Sequence, residues 1–199
     1  MRHLIAAFTL ITMTAAPAVL AQAPDADRVA CFSLNDESYK DKDKFAAGED
    51  ACSRMIASGK FGGKILASIH RARGSWRQKK GTLDAALADY ALAIKIEPKN
   101  VESFDYRADV YQQKGDLDRA LADYDRATKI DPLYAAAHFS RGRIFEKKKD
   151  LDKARAEYNT AIKLPTKDRI AQWAQDNARA RLKALDEEGK EEGKEEKKQ

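Results

Sequence analysis

The sequence predicts an all-α protein, a solenoid of antiparallel helix pairs closed by a C-terminal capping helix. Three observations predict it. Residues 81–98 (GTLDAALADYALAIKIEP) and 115–132 (GDLDRALADYDRATKIDP) are identical at 12 of 18 positions and lie 34 residues apart. A third copy, KDLDKARAEYNTAIKLP, follows at 149–165. Such a period signals stacked supersecondary units, none of which can hide its apolar face alone. The composition agrees: 35% of residues are charged, mean hydropathy is −0.66, and there are only 10 Gly and 5 Pro. Plentiful Ala, Lys, Arg, Glu and Asp make helix the default state.

The first element, residues 1–21, reads as a leader. A basic MRH start precedes the apolar run LIAAFTLITMTAA, and VLA at 19–21 offers a cleavage site after Ala21. The alternative is an uncleaved anchor, but the run is short for a bilayer. Export to the periplasm follows from the leader, with no integral membrane segment left after cleavage. Residues 22–43 form an N-terminal extension. The chain has two cysteines, Cys31 and Cys52. An exported protein meets an oxidising compartment, so they are expected to pair and tie the extension to the first helix.

Residues 44–66 read as a degenerate half-unit and linker. KFAAGEDACSRMIASGK has the pattern of a second helix, with Cys52 at the tyrosine position and Gly59 ending it. Three full units follow, at 67–100, 101–134 and 135–167. In each, a first helix of about 13 residues starts near Ser68, Glu102 or Ala136. Gly81 and Gly115 can end it in the left-handed conformation. Thr82, Asp116 and Asp150 can cap the second helix. Ala86, Tyr90 and Ala93, repeated as Ala120, Tyr124, Ala127 and as Ala154, Tyr158, Ala161, share one face of it. Small residues opposite (Gly74, Ala108, Gly142) let the two backbones approach. Pro98 and Pro132 stop the second helix.

Residues 168–185 form the expected capping helix, with Ile170, Trp173, Ala174, Ala178, Leu182 and Leu185 on one side. The tail 186–199 holds seven acids and four lysines and no apolar side chain, so it is expected to be disordered.

The small–small pairs Gly74/Ala86, Ala108/Ala120 and Gly142/Ala154, the tyrosine and alanine after each, and the terminal proline resemble the tetratricopeptide repeat (TPR) family. Residues 67–165 carry the resemblance. It implies a right-handed superhelix whose first helices line a concave groove. The half-unit with its cysteine, followed by units of the Arg-Gly type, resembles exported TPR proteins of Gram-negative bacteria. There are departures: Arg73, Arg107 and Arg141 replace the usual leucine, Lys149 replaces the turn glycine, and His70, Phe104 and His138 occupy the large-aromatic position. The resemblance implies that Arg71, Ser75, Gln78, Glu102, Asp105, Tyr106, Asp109, Phe139 and Arg143 line a partner groove.

Candidate chemistry is sparse. Beyond the leader the only histidines are His70 and His138, two units apart, and both read as packing substitutes. There is no HExxH, no phosphate loop, no GxSxG and no Cys/His cluster. No catalytic, metal or cofactor-binding residue is assigned, and no enzyme activity is expected. The arginine ladder runs in step with acids one residue before each tyrosine. Ion pairs Arg73–Asp89, Arg107–Asp123 and Arg141–Glu157 are therefore expected.

The formal net charge is +5. Basic and acidic residues interleave, which makes nucleic acid a poor partner. The reading is a non-catalytic scaffold or adaptor of the cell envelope that binds a protein or peptide in its groove. The alternatives are an accessory subunit of an envelope enzyme and a binder of an anionic polymer through Arg71, Arg73 and Arg77.

Overall fold

A computed structural model describes residues 26–33 and 42–196. The leader expected at 1–21 lies outside them. Among the described residues there are nine helices and no strand. α1 spans residues 26–32. There follow α2 Lys42–Ala57, α3 Gly63–Lys80, α4 Leu83–Ile96, α5 Val101–Gln113, α6 Leu117–Ile130, α7 Ala135–Lys147, α8 Leu151–Lys163 and α9 Arg169–Glu196. α3/α4, α5/α6 and α7/α8 are the repeated pairs, α2 packs on α3, and α9 packs on α7 and α8. The result is an all-α repeat solenoid with a C-terminal helix.

The turns inside the pairs show why the period holds. Gly81 and Gly115 adopt φ of 85° and 80°, and their N–H groups bond the carbonyls of Gln78 and Gln112. Lys149 takes the same place with φ 62°, a left-handed conformation that disfavours any side chain. Asp116 and Asp150 accept from Arg119 N and Lys153 N at 3.1 and 3.3 Å, capping α6 and α8. Thr82 departs from the expected cap. Its hydroxyl donates backwards to the Arg77 carbonyl at 3.1 Å, and no side chain caps α4. Lys114–Asp84 and Lys148–Asp118, both 2.6 Å, then lace each turn to the one before.

The core follows the periodicity. Ala86, Tyr90, Ala93 and their equivalents in α6 and α8 are fully buried. A buried aromatic ring hides on the order of 150–250 Å², so the tyrosine dominates each layer. It fits because the facing residue is small. A methyl on Gly74 would lie 2.8 Å from Tyr90 Cε1, and one on Gly142 2.6 Å from Tyr158 Cε1.

The N-terminal half-unit substitutes other parts. Cys31 and Cys52 are bonded, with Cα atoms 4.9 Å apart, and both are fully buried. Trp76 of α3 donates its Nε1–H to the Cys31 carbonyl at 2.8 Å. Its ring lies where a side chain on Gly48 would stand. Asp27 of α1 pairs with Arg54 of α2 at 2.6 Å.

Two boundaries differ from expectation. α3 begins at Gly63 rather than near Ser68. Lys64–Ala67 are good helix formers and only Gly62 interrupts. α9 continues to Glu196, well into the tail expected to be disordered from 186. Glu and Lys favour helix even with nothing apolar to bury, and Lys183 faces Glu187 one turn on.

α9 is seated by specific contacts. Asp168 accepts from Ala171 N at 2.8 Å and caps its start. Gln175, 2% exposed, donates to the Leu164 carbonyl and accepts from Thr166, both at 2.6 Å. Arg181 pairs with Glu146 of α7, and Arg155 of α8 reaches the Leu185 carbonyl at 2.9 Å.

Candidate partner groove

The first helices of successive pairs, α3, α5 and α7, touch one another across the layers. They lie side by side through the stack. The residues assigned to the groove therefore lie on three adjacent helices, and each layer has its own chemistry.

In the first layer Arg71 is not free. Its Nη2 lies 3.0 Å from Glu102 of the next layer, and its Nη1 3.7 Å from Glu97. The Tyr90 hydroxyl sits between Ser75 Oγ at 3.1 Å and Gln78 Oε1 at 3.0 Å. Ser75 and Gln78 thus hold the tyrosine that the repeat buries.

The second layer is acidic. Asp105 is 7% exposed and accepts one hydrogen bond, from Tyr134 at 3.1 Å on Oδ2. Its Oδ1 is buried without a partner, and so is Nε2 of Gln112, two turns along the same helix. Asp109 accepts from the Tyr124 hydroxyl at 2.6 Å. Tyr106 leans on Tyr90 with centroids 5.9 Å apart. Burial first, then the Asp109 charge, push the Asp105 carboxyl far above the carboxylate range, to about 8. Burial also raises Asp109, against the pull of Tyr124 and Arg143. Burial and the neighbouring carboxylates drive Tyr106 up to about 12, and Tyr124 and Tyr134 higher still, so these phenols stay protonated donors.

The third layer corrects an expectation. Phe139 does not line an open groove. It is 3% exposed, with Tyr158 at 5.8 Å on one side and the edge of Trp173 of α9 at 5.3 Å on the other. The capping helix covers it, because α9 buries its own apolar side on α7 and α8. Arg143 lies over the same ring at 5.8 Å.

All three expected ion pairs form. Arg73 bonds Asp89 at 2.7 and 2.9 Å, Arg107 bonds Asp123 at 2.7 and 2.8 Å, and Arg141 Nη2 bonds Glu157 at 2.8 Å. The histidines do more than fill space. His70 Nδ1 lies 2.9 Å from Asp89, and His138 Nδ1 2.9 Å from Glu157. The middle layer has Phe104 at that position, and Arg107 stacks over its ring at 5.8 Å. Arg77 adds bonds to Asp89 and Glu49 at 2.8 and 2.9 Å. Arg71, Arg73 and Arg77 are therefore all engaged by carboxylates, and no free basic stripe remains there. Tyr134, the donor to Asp105, was absent from the sequence assignment. It lies in the link before α7, with no motif to mark it.

Among the described residues no group of three or more His, Cys, Asp or Glu could hold a metal ion. No helix among them is long and apolar enough to cross a membrane.

The stacked helix pairs define a helical-pair repeat solenoid. Residues 107–169 match the tetratricopeptide repeat family model. Solved structures share the fold. A tetratricopeptide repeat protein from Parabacteroides merdae is 18% identical, with TM-score 0.60, covering 80% of this chain and 61% of its own. The Yersinia enterocolitica type III secretion translocator chaperone SycD is 14% identical, TM-score 0.57, over 60% of this chain and 90% of its own. The first TPR of Spaghetti, bound to an HSP90 peptide, is 21% identical, TM-score 0.51, over 61% and 96%. No curated protein sequence matches the chain.

Proposed function

We propose that this protein is a non-catalytic scaffold of the cell envelope that binds a protein or peptide along the inner wall of α3, α5 and α7. One observation carries the reading. The inner face of α5 holds two buried polar atoms with no partner, Asp105 Oδ1 and Gln112 Nε2. Buried polar groups are almost always satisfied, so an acceptor and a donor left open on one face call for a partner that completes them. Extended peptides supply both kinds of group along their backbone. The first TPR of Spaghetti, which shares this fold, is bound to an HSP90 peptide, and that supports the reading. The leader at 1–21 and the Cys31–Cys52 bond support export and a periplasmic location.

Site-specific photo-crosslinking tests the reading. A photoreactive residue at Ser75, Tyr106 or Asp109 should capture partner in cells. The same residue at Lys95, Arg126 or Lys129, exposed on the second helices, should not. Capture mainly from the second helices would defeat it. Fractionation with N-terminal sequencing tests the location, which fails if the chain stays in the cytoplasm.

A second reading has one observation behind it. Trp173 is 51% exposed and Ile170 44% exposed on α9. An accessory subunit docking on a larger envelope protein would use that edge. Crosslinks from α9 alone would favour it.

A further inference from the structure

The groove reading says where a partner lies, and the charges of the middle layer say what it brings there. Resting on that reading, we propose that the inner face of α5 is a subsite for an organic cation of the bound chain. A lysine or arginine side chain, or an amino terminus, sits against Asp105 and Asp109.

Asp105 and Asp109 are one turn apart on the same face of α5 and form no ion pair within the described residues. Asp105 is 93% buried by its 7% exposure, yet one of its oxygens meets no donor. A buried carboxyl oxygen left open is costly; in the unbound chain burial and the Asp109 charge keep Asp105 protonated at neutral pH, and a cation donor arriving there pairs with the two acids as that proton is released. The chain's own cations are committed elsewhere. Arg71 is held by Glu97 and Glu102, while Arg143, stacked over Phe139, lends its charge to Asp109 without forming an ion pair with it. Tyr106 beside the acids adds an aromatic surface, which favours a cation carried on an alkyl stem. A metal ion fits poorly, because among the described residues no third ligand converges. Gln112 Nε2, open on the same face, is placed to donate to a backbone carbonyl of the same ligand.

The test uses the full chain and two blocked twelve-residue peptides of Ala and Ser, one with three lysines and one with three glutamates. Binding is followed by calorimetry. The lysine peptide should bind at least about tenfold tighter than the glutamate peptide. Asp105→Asn and Asp109→Asn should each weaken it by about fivefold or more. Both are near-isosteric, and thermal melting confirms that they fold. Asp152→Asn, which removes an exposed acid on α8, should leave affinity unchanged. The proposal is overturned if the glutamate peptide binds as well or better. It is overturned equally if Asp152→Asn weakens binding as much as Asp105→Asn, if both asparagine variants bind normally, or if neither peptide binds. Crosslinking from Ser75, which lies outside the proposed cation subsite, judges the groove reading separately.

Discussion

Arg73 grips Asp89 with two parallel bonds, Nη2 to Oδ1 at 2.7 Å and Nε to Oδ2 at 2.9 Å, across the first helix pair. The carboxylate is fully buried and takes two more contacts, from His70 and Arg77. Removing the acid leaves Arg73 without a carboxylate and Arg77 with Glu49 alone. Asp89→Ala should therefore cost on the order of 3–5 kcal/mol, read by denaturant unfolding. A loss below about 1 kcal/mol, the range of exposed pairs, would show that the bridge is ornamental.

Two buried acids should respond oppositely to pH. Burial alone would raise Asp89, but the bonds from His70 and Arg73 and the charges of Arg73 and Arg77 overcome it and hold it below the ordinary value. The folded state then binds fewer protons than the unfolded one. That stability is present above about pH 4 and is lost as pH falls through the depressed value. Unfolding curves from pH 6 to 3 should show the loss, and Asp89→Asn should flatten it.

Asp105 runs the other way. It faces Glu102, Asp109 and Tyr106 on its own helix and Tyr134 before α7. Beyond them, Tyr124 of α6 and Arg143 of α7 act on Asp109, and Arg71 of α3 on Tyr106. Its folded value, about 8, exceeds the unfolded one, so its contribution is present at acid pH and lost as pH rises through about 8. Asp105→Asn should raise the melting temperature at pH 8.5 and change it little at pH 4. A variant less stable at pH 8.5 would sink this.

Lys149 stands in the left-handed region where the other two turns use glycine. Lys149→Gly should stabilise the protein by about 1 kcal/mol, raising the melting temperature by roughly 2–4 °C. No gain would mean that the strain is relieved elsewhere in the turn.

Gly142 and Tyr158 leave no room for a methyl, since the added carbon would lie 2.6 and 2.7 Å from ring atoms. Gly142→Ala should destabilise by about 1–3 kcal/mol. A Tyr158→Leu second change, which removes the ring, should recover part of that loss. The absence of any recovery would place the strain in the backbone instead.

Cys31–Cys52 closes a loop with a sequence separation of 21. Replacing both with alanine should cost on the order of 3 kcal/mol. Hydrogen exchange should localise the loss to α1 and α2. A uniform loss across α5–α8 would show that the bond does more than hold the N-terminus.

The helix pairs, their turns and the Arg–acid pairs were legible because each rests on short-range rules repeated at 34 residues. A small residue must face a tyrosine, a turn must close with positive φ, and an arginine must meet an acid 16 residues on. The disulfide was legible from two cysteines and an N-terminal sequence that reads as a leader.

What the chain alone determined, then, was the unit and its repetition. Tertiary packing decided the surface. It turned Trp173 onto Phe139 and removed that residue from the groove. It brought Tyr134 to Asp105 from 29 residues away, engaged Arg71 with Glu102, and left one Asp105 oxygen open. The physical reason is range. Periodicity fixes which face of a helix turns inward, but whether a polar atom is satisfied depends on neighbours from other layers that no local pattern specifies.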